Sequence, residues 1–497
     1  MFESVKPEQV GVSSDCVHKY IKYLEDKGLS THSVIMMRHD KVFYENYWAP
    51  FDRDFKHRIY SNSKSYVALA IGFLVQDGLV DLDEKALSYF DKEITKDAGE
   101  NLKKQTVRDM LTMSTGFPWD KGYWFAEHAD DRLRLYFESS SQGKQNKVPG
   151  TLFFYDSFGS FVLCALVEIV SGKSFDEFMH EKLYSKIGVA RDTYTLKCPG
   201  GHSWGDSGIL IRAIDQAKVM SFVMKGGEWN GEQILSRKYL EEACSKQVDN
   251  NELLAVGPEG YGYGYQIWCI RDNGFYFSGM GCQYAVAVPD KDIVFVINSD
   301  NQGLGHAQRT ILDGFFEIVV NNVDTDVLPN DNKAYDKLME YSRGLKLRAI
   351  KGNADRGLID KINGKQYVIE ENPMGITKIK FIFDGDKGVV QYTNAQGDKE
   401  LAFGIDKNVF GKFPQEGYSD EVGDTYTPGH YYDCATSLAF VGDSQLSVLV
   451  QVIDKYFGRL WMRFGFNDEG DISVIMDKSA EDFMNEYKGW AYGREVK

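Results

Sequence analysis

The spacing of apolar residues changes along this chain, and that change constrains the fold more than any other feature. Up to about residue 245 the apolar residues recur mostly every three or four positions, as in amphipathic helices. In 264–300, and again after about residue 361, they alternate with polar residues in short runs separated by turn sequences, as in antiparallel strands. The chain therefore divides into an α+β part and an all-β part.

The first part, expected over residues 1–325, begins with a hairpin and ends with an antiparallel meander. The hairpin strands are predicted at 33–38 and 42–48, and the meander occupies 264–300. A hairpin, a long helical stretch and a late antiparallel meander together imply an α+β domain. Its first and last strands should then share one antiparallel sheet flanked by helices. Helices are predicted at 15–27, 62–77, 106–113, 158–171, 174–187, 211–225, 236–245 and 307–321.

The polar, proline-containing segment 324–332 marks a boundary, and we expect a linker helix within 326–350. In 351–497, apolar positions such as Phe381 and Phe383 alternate with polar ones such as Lys380, in about nine short strands. This pattern predicts an antiparallel β-domain, either a lipocalin-like barrel or a sandwich. A last helix is predicted at 479–488, where it would cover one end of the domain.

The composition excludes several classes of partner. There are 73 acidic and 57 basic side chains, for a formal net charge of -16, so a phosphate backbone would be repelled and nucleic acid is not expected as a partner. No apolar stretch of membrane-spanning length and no secretory leader is visible. The seven cysteines are odd in number and show no CxxC spacing. We therefore expect a cytoplasmic protein without a membrane partner.

The motif with the strongest chemical content is Ser61-Asn62-Ser63-Lys64, an S-x-x-K at the start of an apolar helix. Residues i and i+3 share a helix face, so Lys64 can take the proton of Ser61, and the helix N-terminus supplies donors for an oxyanion. Ser63 is a rival nucleophile, but it directly precedes the lysine and points off another face. The alternative interpretation of Ser61 is a helix cap beside a solvated lysine.

The S-x-x-K pattern is weak evidence by itself, because average composition gives about two matches by chance in a chain of this length. A second match, Ser141-Gln142-Gly143-Lys144, is predicted to lie in a polar loop with no helix after it.

The segment 59–90, which begins IYSNSKSYVALAIGFL, resembles the nucleophile segment of the serine β-lactamase and penicillin-binding-protein superfamily. It is most similar to the class C-like branch, which includes esterases and D-aminopeptidases. Further blocks agree with that branch in the same order, at 106–117, 149–172, 204–236 and 261–300. The resemblance covers about 1–325 and implies a β-lactamase-like domain.

Carried over residue by residue, the resemblance implies that Ser61 is the nucleophile and Lys64 its base. Tyr155 becomes the proton shuttle to the leaving group, although a core aromatic is the alternative. The backbone N–H groups of Ser61 and Met280 become the oxyanion hole. Gly279 would let its strand approach the substrate closely.

Two motifs depart from the family pattern. The second reads Tyr-Asp-Ser at 155–157, so Ser157 stands where asparagine is usual; it would still bind Lys64 or a substrate amide. The third reads Phe-Ser-Gly at 277–279, so Phe277 stands where lysine or histidine is usual, next to the substrate-binding Ser278. Because that cation normally holds a substrate carboxylate, its loss favours an uncharged ester or amide. Arg212 remains open as a replacement cation.

Four aromatic residues either line a substrate pocket or belong to the core: Trp119, Tyr123, Trp124 and Tyr263. No metal or other cofactor is predicted, because the nine histidines show no HxH or HExxH spacing and no nucleotide-binding glycine motif follows a strand.

We therefore expect a cytoplasmic serine hydrolase that forms an acyl-enzyme with an uncharged ester, amide or short peptide. A D-amino-acid-specific peptidase or amidase, or a β-lactamase, is the alternative within the same superfamily. A non-catalytic binding or sensor module with this fold is the alternative from another class, because two motifs are altered. The sequence leaves self-association open, so a homo-oligomer stays among the expected forms.

Overall fold

The computed structural model describes residues 2–117, 131–142, 147–198, 200–250, 260–352, 356–416, 428–481 and 483–496. They form two compact units, and the division in sequence lies between Lys346 and Leu347. This division falls at the end of the segment in which the linker helix is predicted. That helix, Asn332–Arg343, belongs to the first unit.

The first unit is built on a seven-stranded sheet. Its strands are β1 (Glu3–Ser4), β2 (Thr31–Arg38), β3 (Lys41–Tyr47), β4 (Trp268–Ile270), β5 (Gly274–Gly279), β6 (Gln283–Val288) and β7 (Ile293–Ser299). The spatial order is β1-β3-β2-β7-β6-β5-β4, and every neighbouring pair except β1 with β3 is antiparallel. The pairing of β2 with β7 joins the first hairpin to the late meander, which confirms the predicted α+β arrangement.

The main helices of the first unit are α1 (Ser14–Asp26), α2 (Ser63–Gln76), α3 (Arg132–Gln142), α4 (Ser157–Ser171), α5 (Ala213–Met224), α6 (Ala307–Ile318) and α7 (Asn332–Arg343). Helix α1 begins one residue before its predicted start, and the hydroxyl of Ser13 accepts the N–H of Cys16 as its cap. Shorter helices are Lys92–Thr95, Val107–Leu111, Phe175–Met179, Ser185–Ile187 and Arg237–Ala243.

The helices cover both faces of the sheet. On one face, α1 and α6 pack on Val34, Phe295 and Ile297 in a core that is closed to solvent. On the other face, α5 packs on β2, β6 and β7. Two small sheets complete the unit: Lys56–Arg58 pairs with Ile209–Arg212, which also pairs with Tyr194–Thr195, and Glu228–Trp229 pairs with Glu232–Gln233. The strand Lys56–Arg58 leads directly to the S-x-x-K motif.

No single helix in the described part of the chain is long and apolar enough to cross a membrane, and only α4 together with Phe175–Ile187, bent by 73°, passes that test as a pair.

The second unit is a β-barrel. After a short helix, Leu358–Ile362, its strands are β8 (Gln366–Ile369), β9 (Lys378–Asp384), β10 (Lys387–Asn394), β11 (Gly397–Ile405), β12 (Val409–Lys412), β13 (Asp433–Phe440), β14 (Gln445–Ile453), β15 (Phe457–Phe466), β16 (Asp471–Ala480) and β17 (Gly489–Glu495). Strands β8 to β11 pair in chain order, and so do strands β13 to β17. In addition, β8 pairs with β17 and β11 pairs with β13, which closes a ring of nine strands. The tenth strand, β12, adds to the edge of β13. The barrel alternative is thus the observed one.

The alternation of apolar and polar residues in the sequence determines which side chains face the core of the barrel. Ile379 and Phe381 of β9 are buried, whereas Lys378 and Lys380, which alternate with them, are not. The predicted helix at 479–488 is wrong: residues 479 and 480 finish β16, where Ala480 still pairs with Gly458, and the described residues after them form turns. The pairing of β16 with β15 uses the backbone groups that a helix would need.

A separately expressed fragment of residues 347–497 should fold, because its ring of strands encloses a core of its own. We expect a β-type circular dichroism spectrum and one cooperative unfolding transition. Phe381→Ala, which empties a buried site, should cost about 3–5 kcal/mol of unfolding free energy. Lys380→Ala, on the outer face of the same strand, serves as the control and should change it by less than about 0.5 kcal/mol. A fragment without a cooperative transition would contradict this view of the barrel.

Candidate active site

Ser61 lies in a tight turn that precedes α2, not in the helix itself. The 3-10 turn Tyr60–Asn62 comes first and α2 begins at Ser63. Tyr60 has a φ of +48°, which is unusual for an aromatic residue, and its ring is covered by the buried guanidinium of Arg58 at 4.3 Å. Ser61 is partly exposed although Tyr60 and Asn62 are buried. The Ser61 hydroxyl is thus partly accessible, although the residues on both sides of it are buried.

Lys64 is 2% exposed, and its amine contacts Ser61. The distance from Nζ to Ser61 Oγ is 2.9 Å, and the distance from Nζ to the carbonyl oxygen of Asp206 is 2.7 Å. The amine also lies 5.1 Å from the centre of the Tyr155 ring. The structure therefore brings Ser61, Lys64 and Tyr155 together, in an arrangement that can move a proton off the serine hydroxyl.

The ring of Tyr155 is held by an aromatic cluster. It stacks on Trp268, with centroids 6.0 Å apart, and Trp268 contacts Tyr263 and Phe153. Tyr263 is 1% exposed, so it belongs to this packing and not to a pocket wall. The other aromatic residues of that prediction, Trp119, Tyr123 and Trp124, lie outside the described residues.

The second motif forms the start of α4. Asp156 is the N-cap, and its carboxylate accepts the N–H of Gly159 and the hydroxyl of Thr115. Burial raises the pKa of Asp156, and these two hydrogen bonds oppose the rise. Ser157 is the first helical residue and is partly exposed; among the hydrogen bonds of the described residues, none joins it to Lys64.

Gly279 brings the end of β5 against the turn that carries Ser61. A Cβ atom on Gly279 would lie 2.1 Å from the carbonyl oxygen of Ile59 and 3.2 Å from the N–H nitrogen of Asn62, so no larger residue fits without a shift. Met280 follows and is 37% exposed. In the described part of the chain, neither the N–H of Ser61 nor that of Met280 donates to a backbone acceptor.

The turn after Gly279 is fixed by two side chains. The amide of Gln283 donates to the carbonyl of Met280 at 2.9 Å, and the hydroxyl of Ser299 donates to the carbonyl of Gly281 at 2.7 Å. These two hydrogen bonds fix the peptide groups that directly follow Met280.

The third motif carries no cation at its first position. Phe277 is fully buried and packs edge-on against Tyr66 of α2, at 5.9 Å between centroids. Ser278 alternates with it, on the opposite face of β5, and is partly exposed. Arg212, considered as a replacement cation, is paired with the carboxylates of Asp192 and Asp54.

The two competing serines differ from Ser61 in their surroundings. Ser63 is 0% exposed, and its hydroxyl accepts the N–H of Ile209. Ser141 lies in the last turn of α3, not in the predicted loop. The helix that ends there is rich in Leu and Arg, which favour helix, and the prediction underrated them.

The strand that leads to Ser61 contains His57, which forms a buried pair with His32 of β2. His57 Nδ1 donates to the carbonyl of Arg58 at 2.8 Å, so its Nε2 accepts from His32 Nδ1 at 2.9 Å. Burial lowers the pKa of His57 to about 3, which keeps the ring neutral at physiological pH.

Two residues of the site escaped the sequence prediction. Asp206 supplies the second acceptor of Lys64, and Arg58 donates to the backbone and hydroxyl of Ser207 next to it. A backbone acceptor has no side-chain signature, so only the block 204–236 as a whole pointed to this region.

The sequence pattern of the family described as Beta-lactamase matches residues 18–312. The 6-aminohexanoate-dimer hydrolase of Paenarthrobacter ureafaciens is 24% identical over 273 residues, which cover 50% of this chain and 67% of that protein.

Two solved structures share the fold. The putative 6-aminohexanoate-dimer hydrolase from Bacillus anthracis has a TM-score of 0.51 and 20% identity, over 64% of this chain and 86% of its own. The octameric penicillin-binding protein homologue from Pyrococcus abyssi has a TM-score of 0.50 and 16% identity, over 96% of this chain and 99% of its own.

Gly279→Ala should destabilise the first unit, because the new Cβ would overlap the Ile59 carbonyl. We expect a loss of about 1–3 kcal/mol in urea unfolding, with faster amide hydrogen exchange at residues 59–62. Gly305→Ala is the matched control, because a Cβ there meets no atom within 4 Å. Equal stability of the two variants would show that β5 does not press on the turn.

Proposed function

Because the chain belongs to the Beta-lactamase family, we propose that it is a serine hydrolase that acts through an acyl-enzyme on an uncharged ester or amide. The observation that carries the proposal is the contact of 2.9 Å between the buried amine of Lys64 and the partly exposed hydroxyl of Ser61. A lysine amine held within hydrogen-bond distance of a serine hydroxyl can act as the base that takes its proton.

In the proposed reaction, Ser61 Oγ attacks the substrate carbonyl carbon and its proton passes to Lys64. The N–H groups of Ser61 and Met280 stabilise the negative charge that develops on the carbonyl oxygen. The bond to the leaving group then breaks, and Tyr155 relays a proton to that group. Water attacks the acyl-enzyme, the acid leaves, and Ser61 regains its proton.

The substrate class follows from Phe277. Its ring packs on Tyr66 where a carboxylate-binding cation would stand, so a substrate carboxylate would find no charged partner there. This favours neutral esters and amides over β-lactams and peptides with a free carboxylate. The relative from Paenarthrobacter ureafaciens is named as a 6-aminohexanoate-dimer hydrolase, which supports hydrolysis as the class of reaction.

Two further expectations remain predictions. One is a cytoplasmic location. The other is self-association, for which the homologue from Pyrococcus abyssi, described as octameric, is a precedent.

Ser61→Ala should abolish turnover, with a loss on the order of 10⁴–10⁶ in rate, because the nucleophile and its base act as a unit. A fluorophosphonate probe should label the wild-type chain at Ser61: the Oγ–P bond forms, fluoride leaves and the proton passes to Lys64. Ser63→Ala is the matched control and should keep most of the activity of its folded fraction. Labelling that survives in Ser61→Ala and is lost in Ser63→Ala would reverse the assignment. A wild-type chain that neither labels nor turns over any acyl substrate would favour the non-catalytic alternative.

Short neutral esters or amides should be hydrolysed faster than penicillins and cephalosporins. A charge-assisted hydrogen bond to a carboxylate is worth about 1.5–3 kcal/mol, so its loss should weaken binding by about tenfold to a hundredfold. The measurement is kcat/KM for a panel of short-chain esters, neutral amides, D-amino-acid amides and a chromogenic cephalosporin. Phe277→Lys should raise kcat/KM for the cephalosporin relative to kcat/KM for the neutral substrates. A cephalosporin that exceeds every neutral substrate in the wild type would refute the assigned substrate class.

A further inference from the structure

The turn at residues 204–208 supplies the second acceptor for Lys64. The carbonyl oxygen of Asp206 lies 2.7 Å from Lys64 Nζ. Within the turn, the N–H groups of Ser207 and Gly208 both donate to the carbonyl of Trp204, at 3.2 and 2.6 Å. The direction of the Asp206 carbonyl, and with it that of the amine, therefore depends on what holds this turn in place.

The side chain of Asp206 is held by an ion pair that is closed to solvent. Arg132 Nη1 lies 3.5 Å from Asp206 Oδ1, and both side chains are 0% exposed. The guanidinium also lies over the rings of Phe161 and Phe158, at 4.5 and 5.4 Å from their centroids. Both rings belong to α4, the helix that begins two residues after Tyr155. Arg132 thus ties the turn to the element that carries the second motif.

The same turn is held from its other side by close packing and by a second arginine. Arg58 Nε donates to the carbonyl of Ser207 at 3.0 Å, and its Nη2 donates to the Ser207 hydroxyl at 3.1 Å. A Cβ atom on Gly205 would lie 2.4 Å from Cys164 Sγ in α4 and 2.8 Å from Val67 Cγ2 in α2. The turn therefore packs closely against both helices at Gly205, next to Asp206.

We propose that the Arg132–Asp206 ion pair positions the amine of Lys64, and this inference rests on the proposed function. A neutral amine has two N–H groups and one lone pair. When one N–H donates to the Asp206 carbonyl, rotation about the terminal bond of the lysine is restricted, and the lone pair can face the Ser61 hydroxyl. Arg132 and Asp206 are positioning residues: they act through the backbone of the turn and take no part in bond making.

The test compares single and double neutral substitutions. Asp206→Asn or Arg132→Met alone removes one charge of the buried pair and keeps the other, so each should unfold at a lower urea concentration than the wild type. The double variant Arg132→Met/Asp206→Asn removes both charges and should recover most of that stability. Its kcat for a neutral ester should nevertheless fall by about tenfold to a hundredfold, because a displaced Lys64 amine takes the serine proton less readily. KM should change by less than about threefold, because the substrate contacts remain.

Glu8→Gln is the control for the loss of a buried carboxylate. Glu8 is 2% exposed and accepts the N–H and the hydroxyl of Ser14, at the start of α1. This variant should lose stability with an unchanged kcat. A double variant with both wild-type stability and wild-type kcat would overturn the positioning role and leave the pair a structural one.

The labelling rate separates this inference from the proposed function. With the fluorophosphonate probe, the double variant should label at Ser61 about tenfold or more slowly than the wild type. Equal rates refute the positioning role alone, whereas a wild-type chain that does not label refutes the proposed function and the inference with it. If the double variant does not fold, Arg132→Lys replaces it: the charge is kept but the reach is shorter, and a normal kcat there would equally refute the proposal.

Discussion

When a lysine amine is buried away from water, polar atoms of the protein must replace the hydrogen bonds that it would make with water. In this protein that constraint applies to Lys64, which is 2% exposed and has an acceptor in Ser61 Oγ and another in the carbonyl of Asp206. The rest of the first unit is arranged to keep these acceptors where they are. Helix α2 holds the lysine, the turn before it holds the serine, and the turn at 204–208 holds the carbonyl.

The serine turn is itself shaped by its neighbours and not by its own preference. Tyr60 adopts a positive φ, which few aromatic residues do, and the guanidinium of Arg58 lies over its ring. From the other side, Gly279 comes so close to Ile59 that a side chain would collide with the carbonyl. The position of the proposed nucleophile therefore depends on long-range packing, and the strain at Tyr60 is balanced by contacts that only the folded chain supplies.

The sequence predicts the elements well where a local pattern carries them. The helix near the N-terminus, the hairpin of β2 and β3, and the alternating strands of the barrel are all found as expected. The errors have local causes. The helix predicted at 479–488 fails because β16 continues to pair through Ala480. Ser141 was assigned to a loop from its polar neighbours, but the residues before it extend α3 to that point.

The sequence by itself determined the S-x-x-K spacing, the change from helical to alternating periodicity and the absence of a cation at Phe277, because each of these can be read within a few neighbouring residues. The tertiary structure alone decided whether the barrel closes, since closure is a pairing of β11 with β13 that no single strand encodes. It also decided which backbone carbonyl meets the lysine. Asp206 is 142 residues from Lys64 in sequence, and a backbone oxygen is the same in every residue, so its role arises only from the packing that brings the two groups together.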